Sequence, residues 1–271
     1  PIQPAPLAGL RVLLVDDLTT NCLIVGEILE AFGATVETAG NGVQALRKLL
    51  DDQVPCDVVL MDIQMPEMDG LEATRRLRAT LRGARLPIIA MTAHALDSER
   101  ERCRAAGMDD FIAKPIDPDL LQQKLLRWRP APGGQASRRT AEHTAMAAGC
   151  DLPELPGIDK AEGLRRMMNK PKLYEKVLRD FHSRFLSEPE TIRAAIDSGD
   201  LATAERRAHS TKGLAGTIGA PALQQAAKAL ETALRERDAA LETLFTGFAD
   251  ELRQVIDGIA RGFGIGEHSP R

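Results

Sequence analysis

Three carboxylates, a hydroxyl and an ammonium stand at the ends of apolar runs in the first half of the chain. Asp16 and Asp17 follow Leu10-Arg11-Val12-Leu13-Leu14-Val15, and Asp62 follows Asp57-Val58-Val59-Leu60-Met61. Thr92 closes a run ending at Met91, and Lys114 closes Phe111-Ile112-Ala113. A single acid in such a place reads as a turn residue. Acids drawn from two strand ends read differently, because ligands of open parallel sheets bind in the crevice beyond the carboxyl ends of the strands. Clustered carboxylates are strained unless something positive offsets them, and a hard divalent cation such as Mg2+ takes oxygen ligands. With Mg2+, Thr92 and Lys114 neutralising its equatorial oxygens, a phosphoryl group could be attacked in line by Asp62 and held as an acyl phosphate.

The second half offers one chemical stretch, Ala208-His209-Ser210-Thr211-Lys212-Gly213-Leu214-Ala215-Gly216-Thr217-Ile218-Gly219-Ala220. At helical periodicity Ala204, Ala208, Thr211, Ala215 and Ile218 share the face that turns into a core, while His209, Gly213 and Gly216 share another. Glycine inside a helix costs about 1 kcal/mol against alanine. Two of them on the stripe of a histidine imply clearance, so that a partner surface can approach the imidazole. Lys212 adds a cation suited to a phosphorylated nitrogen. A lone helical histidine would be an ordinary surface residue, and His182, between Phe181 and Phe185, reads as structural.

The elements that must position these groups follow from periodicity. Strands are expected near 10–15, 34–38, 57–61, 87–91 and 110–113, with helices near 19–32, 41–51, 69–81, 96–106 and 117–128 between them. Gly33 and Gly107 stand where helices should stop. The alternation predicts an α/β fold, a five-stranded doubly wound parallel sheet covered on both faces. The alternating segment Ala34–Thr38 is its expected edge strand. Residues 130–156 lose periodicity and read as a flexible linker of about 25 residues with a reach of roughly 30 Å. Beyond it only helices are expected, near 159–168, 171–186, 188–197, 200–217, 221–236 and 238–262, with prolines 171, 189 and 221 near helix starts and Asp200 as a cap. Short connections favour an antiparallel helical bundle. The domains are therefore 8–129 and 157–264.

Composition narrows the function classes. A formal charge of -4 over 271 residues gives no basic field, so nucleic acid and acidic membranes are poor partners. No apolar run approaches the roughly 20 residues of a membrane helix. The four cysteines, Cys22, Cys56, Cys103 and Cys150, have neither CxxC nor metal spacing and read as reduced thiols of a cytoplasmic protein. The start at Pro1, in a proline-rich stretch, reads as a piece cut from a longer protein.

At Val15-Asp16-Asp17, Met61-Asp62-Ile63-Gln64-Met65-Pro66-Glu67-Met68-Asp69-Gly70, Met91-Thr92-Ala93-His94-Ala95 and Phe111-Ile112-Ala113-Lys114-Pro115, the first domain resembles the receiver domain of bacterial response regulators. The resemblance implies a flavodoxin-like fold with Asp62 as phosphoacceptor, and Asp16, Asp17, Asp62 and the Gln64 carbonyl around Mg2+. It implies Thr92 and Lys114 on the phosphoryl group, a cis peptide before Pro115 and Phe111 at an aromatic switch position. Gln64 and His94 would modulate hydrolysis, while Asp69 reads as a helix cap. Downstream, His209, Lys212, Gly213, Ile218 and Gly219 match the histidine-containing phosphotransfer (HPt) motif His-x-x-Lys-Gly-x-x-x-x-hydrophobic-Gly. That resemblance implies a four-helix bundle with an extra N-terminal helix and His209 Nε2 as phosphoacceptor.

Together the halves resemble the C-terminal portion of a hybrid sensor histidine kinase. The expected function is a phosphorelay that exchanges a phosphoryl group between Asp62 and His209 and passes it to a separate downstream receiver. The linker would keep the two sites near millimolar effective concentration. No ATP-binding glycine boxes occur, so the histidine kinase that supplies the group lies upstream or on another protein. Two other classes compete. A free-standing Mg2+-dependent phosphatase would need an Asp where Gln64 stands. A DNA-binding output domain would need a concentrated basic helix, which the second half lacks.

Overall fold

The computed structural model describes residues 5–80, 85–92, 97–128 and 152–265. It divides into two compact units, Pro1–Ala148 and Gly149–Arg271.

The first unit runs β1 (Arg11–Val15), α1 (Thr19–Ala31), β2 (Thr35–Ala39), α2 (Gly42–Leu46), β3 (Val58–Asp62), α3 (Gly70–Arg78), β4 (Ile88–Thr92), α4 (Asp97–Ala106), β5 (Asp110–Ala113) and α5 (Pro118–Trp128). All four strand pairings are parallel, in the order β2-β1-β3-β4-β5. The doubly wound α/β sheet is the one that the alternating pattern predicts. Every residue of β3 and β4 is buried, whereas β2 is mostly exposed and lies at an edge. Leu13, Val15, Val59, Met61, Ile88 and Ala90 share a core with Ala45 of α2, Leu49 just beyond it, Leu71 and Leu77 of α3 and Cys103 of α4. The alternate residues Val12, Leu14, Leu60, Ile89 and Met91 are equally buried, so both faces are covered.

The chain reverses its direction of sheet growth between β1 and β3, which puts the topological switch point beside the ends of these two strands. Asp16 follows one and Asp62 ends the other. β3 begins one residue later than the pattern predicts because Asp57 is turned back onto Arg11, taking its backbone N–H at 2.9 Å and its guanidinium at 2.6 Å. Asp62 is consequently the last residue of the strand, in register with Met91. The predicted helix 41–51 divides: α2 passes into a π-helical turn, Arg47–Asp51, marked by the Asp52 N–H to Arg47 carbonyl bond of 3.0 Å. The unit also starts earlier than residue 8, since Leu7 is fully buried and its N–H reaches the Phe32 carbonyl at 2.8 Å. Gly33 and Gly107, at φ +89° and +95°, take the left-handed turns expected after α1 and α4.

The second unit is helical: α6 (Lys160–Arg166), α7 (Pro171–Phe185), α8 (Glu188–Asp197), α9 (Leu201–Ile218), α10 (Pro221–Glu236) and α11 (Leu241–Gly262). α10 lies against α9 and α11, α11 closes on α7, and α7 touches α9, which completes a four-helix bundle. α6 is the added N-terminal helix, and α8 is a further one packed on α9. Asp159 and Asp200 cap α6 and α9 through the N–H groups of Glu162 and Thr203. α9 is the central element because small residues let its neighbours approach. Ala204, Ala208, Thr211, Ala215 and Ile218 are all fully buried, as their common face predicts. It ends at Gly219, φ +80°, where a Cβ would stand 2.3 Å from the Asp159 carbonyl oxygen.

Of the predicted linker 130–156, residues 130–151 lie outside the described residues. Its last residues belong to the second unit. Leu155 is buried, and Cβ atoms at Gly258 and Gly262 of α11 would meet Pro156, Pro153 and Leu155.

At Gly70, a Cβ would lie 2.1 Å from the Asp62 carbonyl oxygen, so the start of α3 can close on β3 only as glycine. Gly70→Ala should cost the first unit about 1–3 kcal/mol, read by urea titration of the fluorescence of Trp128, the single tryptophan. Gly26→Ala, whose Cβ meets nothing within 4 Å, should leave stability unchanged or raise it. Equal effects at the two positions would contradict this packing.

Candidate functional site

At the switch point Lys114 is the link between two strands. Its Nζ donates to Asp16 Oδ2 at 2.7 Å and to Asp62 Oδ2 at 2.7 Å. The backbone holds it there, since the Lys114 N–H bonds the Thr92 carbonyl at 2.6 Å and the Lys114–Pro115 peptide is cis, as expected. Asp16 is fixed from the other side by the Leu18 N–H at 2.9 Å and the Asn21 amide at 3.1 Å. Asp17 completes the cluster, in which Asp16, Asp17 and Asp62 each offer an oxygen within 4.8 Å of the others. Gln64 is close by: its N–H lies 3.4 Å from Asp62 Oδ1. Asp69 caps α3 through the Glu72 N–H at 2.7 Å, and so acts as a cap, as its place before Gly70 suggests.

The electrostatics fit a divalent cation. Burial pushes the Asp62 carboxyl up to about 7; the Lys114 charge and hydrogen bond oppose the rise, and Asp16 and Asp17 add to it. Burial also works against the Lys114 ammonium, but Asp16 and Asp62 outweigh it and raise its pKa above the ordinary lysine value. Three carboxylates against one ammonium leave a formal charge of -2 in a cluster of hard oxygens, which is what one Mg2+ offsets. Cys22 stands beside this site, and burial and the Asp16 charge push its thiol up to about 12, which favours the protonated form.

Thr92 is at the same edge, 3 % exposed, with its hydroxyl donating to Glu99 Oε2 of α4 at 2.6 Å. Glu99 is a residue that the sequence pattern does not single out, because its approach depends on the path between β4 and α4. His94, named above as a modulator, lies outside the described residues. Phe111 on β5 has the Arg100 guanidinium over its ring at 4.2 Å and the Lys124 ammonium at 4.9 Å.

In the second unit, the structure corrects the expectation that His209 stands on an open helix face. The residue is only 7 % exposed because α10 covers it, with Glu231 Oε1 2.8 Å from Nδ1. At Gly213 a Cβ would meet nothing within 4 Å, so that position is not filled by this chain. Lys212 donates to the other Glu231 oxygen at 2.5 Å, and Arg235 to Oε1 at 3.1 Å. Arg235 is held in turn by Glu205 at 2.8 Å. With the carboxylate accepting at Nδ1, the neutral ring carries its proton there and its lone pair at Nε2. Sequence reading misses Glu231, though a signal exists: on α10 it follows Leu223 and Ala227 at the spacing of the buried stripe, where a carboxylate needs a reason.

A doubly wound unit with an acid cluster and lysine beyond its strand ends, followed by a bundle with a carboxylate-tethered histidine, defines a receiver domain joined to a phosphotransfer domain. Residues 12–126 match the response regulator receiver domain family and residues 176–262 match the Hpt domain family, so the chain belongs to both, one in each unit. Sensor histidine kinase GacS of Pseudomonas protegens is 35% identical over 256 residues, 92% of this chain and 26% of that protein. Signal transduction histidine-protein kinase BarA of Escherichia coli K12 is 30% identical over 268 residues, 96% of this chain and 28% of that protein. The chain thus spans about a quarter of the length of these curated relatives. Among solved structures, the receiver domain of sensor histidine kinase PA1611 from Pseudomonas aeruginosa PAO1 is 42% identical, covering 45% of this chain and 98% of that one at a TM-score of 0.42.

Burial works against the Glu231 carboxylate, but the His209 hydrogen bond and charge, with Lys212, hold it down at about 2. A carboxyl whose folded pKa lies below its ordinary 4.5 contributes stability above that value and loses it as the pH falls towards 2. Glu231→Gln should therefore flatten the acid limb of the second unit's stability over that window. Glu231→Ala at neutral pH should cost about 3–5 kcal/mol, as when one partner of a buried ion pair is removed, against at most about 1 kcal/mol for Glu205→Ala at the rim. Urea unfolding followed by circular dichroism distinguishes these outcomes; similar costs for both variants would contradict the network.

Proposed function

We propose that this chain is a phosphorelay module in which Asp62 accepts a phosphoryl group and exchanges it with His209. The observation that carries the reading is the Lys114 ammonium shared at 2.7 Å by Asp16 and Asp62. That arrangement supports a carboxylate poised to accept an anionic group, with a cation already beside the developing charge. Mg2+ held by Asp16, Asp17, Asp62 and the Gln64 carbonyl would neutralise charge on the phosphoryl oxygens.

In the proposed transfer an Asp62 oxygen forms a bond to phosphorus. The bond from phosphorus to the donor breaks, and its electron pair leaves with the donor. Lys114 and the Thr92 hydroxyl then serve the phosphoryl oxygens, the first by charge and the second by a hydrogen bond. In the second step His209 Nε2 attacks phosphorus, the bond to Asp62 breaks, and the carboxylate is restored. The imidazolium so formed keeps its proton on Nδ1, donated in a hydrogen bond to Glu231, whose charge compensates it, as the acid does in an acid–histidine pair. Lys212 would attend the phosphoryl oxygens on the nitrogen. The reverse sequence uses the same groups.

The partners of this reading are a histidine kinase domain that supplies Asp62 and a separate receiver that draws on His209. A cytoplasmic setting suits it: no helix among the described residues is long and apolar enough to cross a membrane. The thiols of Cys22 and Cys56 donate to backbone carbonyls at 3.4 and 3.1 Å, which is the reduced form.

Radiolabelled acetyl phosphate with Mg2+ tests the relay. The chain should acquire a base-labile label on Asp62 and then an acid-labile label on His209. Asp62→Asn should abolish both, His209→Gln should leave only the first, and Lys114→Ala should slow labelling by about 10²–10³-fold, as for loss of one stabilising donor. Labelling of His209 in Asp62→Asn at the parent rate would overturn the proposal.

A further inference from the structure

Thr92 holds a single O–H, and a hydroxyl donates one hydrogen bond at a time. In this structure that proton goes to Glu99 Oε2, at 2.6 Å, in a contact between the end of β4 and the first turns of α4. β4 is the direct neighbour of β3, with Asp62 in register with Met91, so the Thr92 hydroxyl sits one residue beyond the partner of the acceptor. The next residue along α4, Arg100, lies over the ring of Phe111 on β5 at 4.2 Å. Consecutive residues of one helix thus contact two adjacent strands, one through a hydrogen bond and the other through a cation over a ring.

We propose that Glu99 is a latch on the acceptor site, resting on the reading of Asp62 as phosphoacceptor and adding to it a residue that governs the rate of acceptance. While Glu99 accepts the Thr92 proton, that proton cannot reach a phosphoryl oxygen on Asp62. Acceptance therefore requires Glu99 to leave, and its departure frees the first turns of α4 from β4. Because Arg100 is its immediate neighbour, the same movement loosens the grip on Phe111. Glu99 acts through Thr92 and is a positioning residue.

The test measures initial rates of Asp62 labelling by radiolabelled acetyl phosphate and Mg2+ in the full chain, in a His209→Gln background that keeps the label on Asp62. Glu99→Ala should accelerate labelling about tenfold, the release of one hydrogen bond to a charged acceptor. Thr92→Val should slow it, and Glu99→Ala added to Thr92→Val should give no further acceleration. Beryllofluoride with Mg2+, a phosphoryl stand-in that needs no transfer, should bind more tightly to Glu99→Ala by a similar factor. A labelled parent whose rate and beryllofluoride affinity are unmoved by Glu99→Ala overturns the latch while leaving the acceptor reading intact. Equal acceleration with and without the Thr92 hydroxyl would show a bare charge effect and overturn it too. A parent that takes no label on Asp62 sinks the acceptor reading and the latch with it.

Discussion

The shared ammonium of Lys114 is the interaction on which the first unit depends. Asp16 and Asp62 come from neighbouring strands, β1 and β3, and are both almost wholly out of water. Carboxylates in such positions are tolerated only if paired. The pairing requires β5 to end at the same edge, the Lys114 backbone to be pinned to Thr92, and α3 to start tight against β3 at Gly70. Strand order, register and one glycine are thus fixed by the need to bring one cation to two acids. The remaining excess of negative charge leaves an acid cluster that could hold a metal ion rather than a finished salt bridge.

The second unit solves the converse problem. There one buried carboxylate, Glu231, gathers His209, Lys212 and Arg235 from two adjacent helices. Counting a neutral imidazole and the Glu205 that holds Arg235, two cations face two acids, so the surroundings of the histidine are balanced where those of Asp62 lean negative.

Much of this was legible in the residues alone. Apolar runs ending in Asp16, Asp62, Thr92 and Lys114 fixed the parallel sheet and the edge at which its chemistry sits, because buried strands cannot be polar until they emerge. The alternation of β2 marked an edge strand for the same reason. What escaped was set by long-range partners. Asp57 reads as the first residue of a strand until Arg11 claims it, and Leu152 to Pro156 read as linker until glycines on α11 give the prolines a seat. His209 was placed on its helix correctly but assigned to an open face, since a helical wheel gives angles and not what the neighbouring helix brings. Glu231 was visible only as a charge in an apolar stripe, and Glu99 left no local signal.

The central claim is that Asp62 and His209 carry the same phosphoryl group in turn. Phosphorus-31 NMR of the intact chain with acetyl phosphate and Mg2+ tests it most directly, because aspartyl phosphate and Nε2-phosphohistidine give distinct resonances. The account predicts that the acyl phosphate signal rises first and that the phosphohistidine signal grows as it decays. A phosphohistidine signal that rises with no acyl phosphate before it, or an acyl phosphate that only hydrolyses, would contradict it.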